Sequence, residues 1–428
     1  MPPQTSAAGS KAEGGWGEWL DGYGGLLPRW EVLFNITVLR LIAFNFDYLW
    51  SLDRGASSPI EVSKETPFLS TQLSPAIHPD PTRSLLRSTE IVTVPPPSNP
   101  LQKKNLDPAT LTERDRVNLG AQPQDFTLRN YLAYILYPPL YLAGPILNFN
   151  DYIAQSRHPL PTTKNPHTTL RATILPYAAR FALCLLAMEL LQHHLYAVAI
   201  SKSATNLWHL FTPFQLAMLA YFNLHVIWLK LLLPWRLFRL WSLADGLDPP
   251  ENMLRCMSDN YSALAFWRGW HRSFNRWVVR YIYSPLGGSR VSSTARAVGN
   301  YAAVFTFVAL WHDINLRLLV WGWLVVVFVA PEILARWAFP AQKYRDRPDV
   351  YRWLCGVGAV GNILMMMAAN LVGFAVGLDG LQAIVDGVVG SLGGRVFVVG
   401  ACVTLFVGVQ VMFEWREGEK RRGVEMKC

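Results

Sequence analysis

The chain has 428 residues, more than one soluble domain usually holds, and 51% of them are hydrophobic against 16% charged. The apolar residues gather in blocks without Asp, Glu, Lys or Arg at 130–150, 203–229, 297–312, 353–378 and 396–413. That excludes a soluble core, since several blocks match the ~20 residues that cross a ~30 Å hydrocarbon layer. The net charge of +9 fits basic cytoplasmic loops, so the expected partners are membrane lipids and no nucleic acid.

Residues 1–29 are polar and Gly-rich, without the regions of a cleaved signal peptide. A first hydrophobic helix is expected over 30–50, interrupted by Arg40. Residues 51–128 read as a polar Pro/Ser-rich insert containing VPPPSNP, largely disordered because it has too few apolar residues to fold alone. A membrane domain over 129–415 and a basic cytosolic tail over 416–428 follow. The expected fold is all-α, a polytopic transmembrane helical bundle. About eight spans are expected, at 32–50, 130–150, 172–200, 203–235, 297–312, 316–340, 353–378 and 394–413. The 17 Trp cluster near block ends, as interfacial rings do.

Loop charges give an orientation. The stretch 236–296 has nine Arg against four acidic residues, and Lys343, Arg345, Arg347 and Arg352 mark the loop 341–352. The tail holds Arg416, Lys420, Arg421, Arg422 and Lys427, whereas 379–394 has only Asp379 and Asp386. The first three are therefore cytosolic and 379–394 is luminal. Eight spans put the insert in the lumen and His312 near the luminal end of its span. The five cysteines, Cys184, Cys256, Cys355, Cys402 and Cys428, are scattered and form neither a disulfide framework nor a CxxC metal site.

His312 stands in FTFVALWHDINLRLLVWGWLVVVFVAPE, Phe305 to Glu332. An ionisable group at membrane depth is a functional candidate, and imidazole suits a general base. The alternative is a structural histidine bonded to a neighbouring carbonyl. Asp313 is read as the cap of a helix starting near Leu316. In FWRGWHRSFNRWVVRYIYSPLGGS, Arg268, Arg272, Arg276 and Arg280 recur every four residues, which predicts one basic helical stripe, with His271 among aromatic neighbours. That stripe serves either lipid headgroups or an anionic cosubstrate. Adjacent His193 and His194 do not converge on one helix face, so no metal site is assigned; Glu189 and His193 are expected to bond inside the bundle. The sequons at Asn35 and Asn260 are expected to stay unglycosylated.

The run WHRSFNRWVVRYIYSPLGGS followed by FTFVALWHDINLRLLVWGWLVVVFVAPE resembles the membrane-bound O-acyltransferase superfamily. Within it, the chain resembles the fungal glycerol uptake (Gup) branch, related to hedgehog acyltransferase. NYLAYILYPPLYLAGPILNFNDY and DGLDPPENMLRC belong to the same pattern, and the resemblance runs from about Trp30 to Glu425.

The resemblance implies a helical bundle with a tunnel through the membrane and His312 as the catalytic histidine. His271 stands at a second signature position, which many members fill with Asn or Asp. Substrate-binding roles are implied for Trp270, Asn275, Arg276, Arg280 and Tyr283. The implied reaction moves a long-chain acyl group from acyl-CoA, as cosubstrate, to a lipid hydroxyl. No cofactor is bound and no acyl-enzyme cysteine is needed.

For this branch the implied acceptor is the sn-2 hydroxyl of lyso-phosphatidylinositol in GPI anchors, in the endoplasmic reticulum membrane. A protein acyltransferase and a non-enzymatic protein or transporter affecting glycerol uptake are the alternatives; no internal repeat of the transporter kind is visible. Family members carry further hydrophobic spans before the segment matching Trp30–Trp50, where this chain has MPPQTSAAGSKAEGGWGEWL, so a shortened chain is expected.

Overall fold

The computed structural model describes residues 30–53, 111–159, 170–203, 205–288, 294–312 and 316–423. Asp313, Cys428 and most of the insert lie outside the described residues. The chain is all-helical where described, and the one β-like feature there is an isolated bridge between Met253 and Trp270.

In chain order the helices are α1 (Trp30–Asp53), α2 (Glu113–Leu119), α3 (Leu128–Leu136), α4 (Pro138–Leu142), α5 (Phe149–Arg157), α6 (Leu175–His194), α7 (Ala197–Ser201) and α8 (Pro213–Ala244). Then come α9 (Ala263–Gly269), α10 (Arg272–Val278), α11 (Thr294–His312), α12 (Leu316–Ala338), α13 (Pro348–Asn370), α14 (Gly377–Val389) and α15 (Leu392–Arg421). Six of them, α1, α6, α8, α12, α13 and α15, are long and apolar enough to cross a membrane. Their boundaries follow local chemistry. Thr212 opens α8 with a capping box to Gln215, satisfying donors that a helix start leaves unpaired. Ser391 does the same for α15 through the Gly394 N–H, at 2.9 Å. Helices α11 and α12 pack closely side by side where a Cβ on Gly322 would stand 3.0 Å from the Phe305 carbonyl oxygen.

The block 130–150 does not form the expected span. Pro138 has no N–H to donate, and the helix breaks at Tyr137 into α3 and α4, followed by an extended segment to α5. This part folds back on the C-terminal end of α8: the Tyr137 hydroxyl donates to Asp245 at 2.7 Å, and the Asp248 N–H donates to Gln155 Oε1 at 2.7 Å. The other flank of the insert reaches the same side, where Asp47 of α1 accepts from Arg280 at 2.8 Å and from the Tyr281 hydroxyl at 2.9 Å. Both flanks of the insert therefore lie on the face that the loop charges assign to the cytosol, and not in the lumen.

Arg40 does not weaken α1 but joins it to α3. Its guanidinium is 1% exposed and donates to the Ile135 carbonyl at 2.8 Å, one of the carbonyls left open at a helix end. Helix α15 continues through Arg421, and its last turns are bound to the loop after α8: Glu419 accepts from Arg255 at 2.6 Å, and Arg416 donates to Asp259 at 2.8 Å. That loop leads inward into α9, α10 and a π-helical turn over Val279–Tyr283.

The segment is not one helix. It breaks at Trp270–His271, where His271 adopts φ 44°, ψ 52°, so the four arginines do not form one stripe. Arg268 sits on α9, Arg272 and Arg276 on α10, and Arg280 on the π-helical turn.

Candidate active site

His312 is the last residue of α11. The helix end is fixed from α1, where Asn35 Nδ2 donates to the Trp311 carbonyl at 2.8 Å. The Asn35 sequon thus has its amide engaged inside the bundle. The His312 ring lies 5.7 Å from Trp321 and 6.0 Å from Phe374. Trp321 needs the adjacent glycine: a Cβ on Gly373 would stand 2.7 Å from its indole ring.

His271 stands at the break between α9 and α10, in the left-handed region that β-carbon sterics disfavour by about 1–2 kcal/mol. Its ring is clamped between aromatic faces, stacking on Trp235 at 4.3 Å and on Phe274 at 5.2 Å. Phe274 also stacks on Trp311 at 4.3 Å and lies 6.5 Å from His312. One phenyl ring therefore bridges two imidazoles that are 41 positions apart in the chain (312 − 271). Among the described residues, no polar side chain bonds either ring.

Both histidines line one cavity of ≈3120 Å³. Its lining includes Asn35, Leu318 and Phe374, the apolar Trp267, Phe305 and Val329, and the basic Arg345, Arg352 and Lys420. The charge rule puts the loop and tail that carry these basic residues on the cytosolic side.

Trp270, Asn275, Arg276, Arg280 and Tyr283 all border this cavity too. Trp270 stacks on Phe266 at 5.2 Å and Tyr283 packs on Tyr301 at 5.7 Å. The arginines are not equivalent. Arg276 pairs with Glu113, which Arg272 also approaches at 3.8 Å. Arg280 is buried, paired with Asp47 and laid over the Trp50 ring at 5.1 Å. One of its donors holds α1 through Asp47, and its Nε has no partner among the described residues.

Glu332, 7% exposed inside apolar α12, accepts from the Ser262 hydroxyl at 2.6 Å, from the Leu264 N–H at 3.2 Å and from Arg336 at 2.6 Å. It thereby anchors the start of α9. In the sequence Glu332 is the single acid of apolar α12, and Asp47 is the one acid well inside α1, between Glu31 and Asp53 near its ends; nothing there pointed to their partners. Glu113 lies inside the stretch 51–128 read as a largely disordered insert, where it carried no signal, yet it opens the helix α2. His193 bonds the Glu189 carbonyl at 2.8 Å, with the carboxylate at 3.6 Å, but at the exposed end of α6 and not inside the bundle. Asn260 donates to the Cys256 carbonyl at 2.9 Å.

The family model of MBOAT, the membrane-bound O-acyltransferase family, matches residues 23–378, and the chain belongs to this family. It is 46% identical over 408 residues to membrane-bound O-acyltransferase GUP1 of Saccharomyces cerevisiae, covering 95% of this chain and 63% of that protein. With membrane-bound O-acyltransferase gup1 of Schizosaccharomyces pombe the identity is 42% over 409 residues, 96% of this chain and 61% of the relative. Protein-cysteine N-palmitoyltransferase HHAT of Mus musculus is 30% identical over 181 residues, 42% of this chain and 35% of that protein. The chain thus spans about three fifths of the length of these fungal relatives.

Proposed function

We propose that the chain is an acyl-CoA-dependent O-acyltransferase of the endoplasmic reticulum membrane. It transfers a long-chain fatty acyl group to a lipid hydroxyl, the sn-2 hydroxyl of lyso-phosphatidylinositol in GPI anchors. The observation that carries the reading is one large cavity lined by both imidazoles and by the basic side chains of Arg268, Arg345 and Lys420.

The donor enters from the side of the basic lining residues. Its phosphates meet Arg268, Arg345 and Lys420, and Arg276 exchanges Glu113 for them, because guanidinium binds phosphate and carboxylate in the same bidentate manner. The acyl chain lies along Trp267, Phe305 and Val329, which keep water from the thioester.

His312 takes the hydroxyl proton as the acceptor oxygen attacks the thioester carbonyl. His271 donates an N–H toward the oxygen that gains charge. The C–S bond then breaks, the thiolate leaves and recovers the proton from His312, and an ester and free coenzyme A remain. Asn275 and Tyr283 orient the donor, and Trp270 closes the wall beside His271.

The test is expression of the chain, and separately of His312→Ala, in fungal cells lacking their own relative. Mass spectrometry of released GPI anchors is the readout. Long-chain diacyl anchors with the native chain and lyso anchors with His312→Ala are expected. Equal restoration by both would make His312 structural and end this mechanism.

A further inference from the structure

Behind the cavity wall, Asn252 grips the backbone on the exit side of His271. Its carbonyl accepts the Arg272 N–H at 3.1 Å, and its Oδ1 accepts the Ser273 N–H at 3.0 Å. On the entry side, Met253 bridges Trp270, and the Leu254 N–H reaches the Gly269 carbonyl at 3.5 Å. Three consecutive residues therefore hold both arms of the turn whose apex is His271. Ser273 passes the constraint to a third segment, since its hydroxyl accepts the Ile146 N–H at 2.8 Å.

His271 is the one non-glycine residue with positive φ among the described residues. L side chains rarely adopt that conformation, and it persists where the surroundings over-determine it. Trp235 and Phe274 fix the ring from the cavity side. The backbone itself is fixed from the opposite side, by a residue that is 1% exposed and separate from the cavity lining.

We propose that Asn252 is a positioning residue for His271, holding the left-handed turn that presents the imidazole to the cavity. This rests on the catalytic reading of His271 given above. Without the amide oxygen, the Ser273 N–H loses its acceptor at the first turn of α10. His271 then relaxes toward the right-handed region, and its ring leaves the Trp235–Phe274 stack. The Asn252 Nδ2 has no partner among the described residues, so a carboxylate in its place keeps the acceptor and breaks no bond.

The test uses the full chain in microsomes of fungal cells lacking their own relative. Coenzyme A release from palmitoyl-CoA is followed with lyso-phosphatidylinositol as acceptor. Asn252→Ala is expected to lower kcat by about tenfold to a hundredfold, the range of a small misplacement of a reacting group, with KM little changed. Asn252→Asp is expected to recover most of that loss. In a His271→Ala background, Asn252→Ala is expected to cost nothing more, because the two act as one unit.

Native turnover in Asn252→Ala would overturn the proposal. The same fractional loss in the His271→Ala background, or failure of both Asn252 variants to accumulate, would also overturn it, because Asn252 would then serve the fold at large. Full activity of His271→Ala alone would refute the catalytic reading on which the proposal rests, through an arm that contains no Asn252 change.

Discussion

Asn35 and Trp311 hold each other by two hydrogen bonds across the bundle: the Asn35 amide donates to the Trp311 carbonyl at 2.8 Å, and the Trp311 indole N–H donates to the Asn35 carbonyl at 3.3 Å. The first bond satisfies a carbonyl in the last turn of α11, next to His312. Asn35→Leu leaves it without a partner, at about 1–3 kcal/mol. The expected result is a lower melting temperature in detergent and a fall in acyl transfer that exceeds any fall in membrane level. A native rate at native levels would show that α1 does not steady the histidine.

Trp321 and Gly373 offer a test that replaces no polar side chain. A valine at 373 must displace the indole, because even a Cβ there would lie 2.7 Å from the ring. Overpacking of this kind costs about 1–3 kcal/mol, and the displaced ring moves against His312. Gly373→Val is expected to reduce transfer at least tenfold while Gly400→Val, which meets open space away from the cavity, keeps His312 in place. Measuring turnover of both in the same membranes decides the point.

The buried pair Asp47–Arg280 is structural on this account. Their side chains are 0% and 10% exposed, and removing one partner of such a pair strands a buried charge at about 3–5 kcal/mol. Asp47→Ala is expected to lower the melting temperature strongly. The double change Asp47→Leu with Arg280→Met is expected to recover much of it. A donor-binding role for Arg280 would instead show as a raised KM for acyl-CoA in the double variant.

Glu113 competes for Arg276 with any phosphate that enters the cavity. Glu113→Gln removes that competition, so KM for palmitoyl-CoA is expected to fall by about twofold to tenfold, or ~0.4–1.4 kcal/mol. Raising salt is expected to erase part of the difference, since screening weakens exposed pairs. An unchanged KM would show that Arg276 stays with Glu113 throughout turnover.

What was legible in the sequence was chain length in apolar environments. The long helices α6, α8, α12, α13 and α15 follow from uninterrupted hydropathy, because a span needs little beyond ~20 apolar residues. The block 130–150 misled for the same reason: it has no charge, but Pro138 breaks it and Tyr137 turns it back to Asp245. The arginine spacing misled because period alone assumes an unbroken helix. The break at His271 depends on Asn252, 19 positions earlier (271 − 252), and no local pattern records such a contact. His312 was visible as an imidazole in an apolar run. Its nearness to His271 through Phe274 is a product of tertiary packing, and only the family resemblance hinted at it.

Helix α15 has a further meaning for anyone handling the protein. Only 6% of its apolar window is buried inside the chain, and its Glu419 and Arg416 pair with Arg255 and Asp259 to fasten its cytosolic end to the loop after α8. One flank packs on α13, with Trp353 against Phe406 at 4.8 Å, while Val396, Val399, Val403, Val407 and Val411 leave the other flank exposed to whatever apolar medium surrounds it. The choice of amphiphile used for extraction then supplies what one flank of the fold packs against, and a stability measured in micelles belongs jointly to the polypeptide and its solvent.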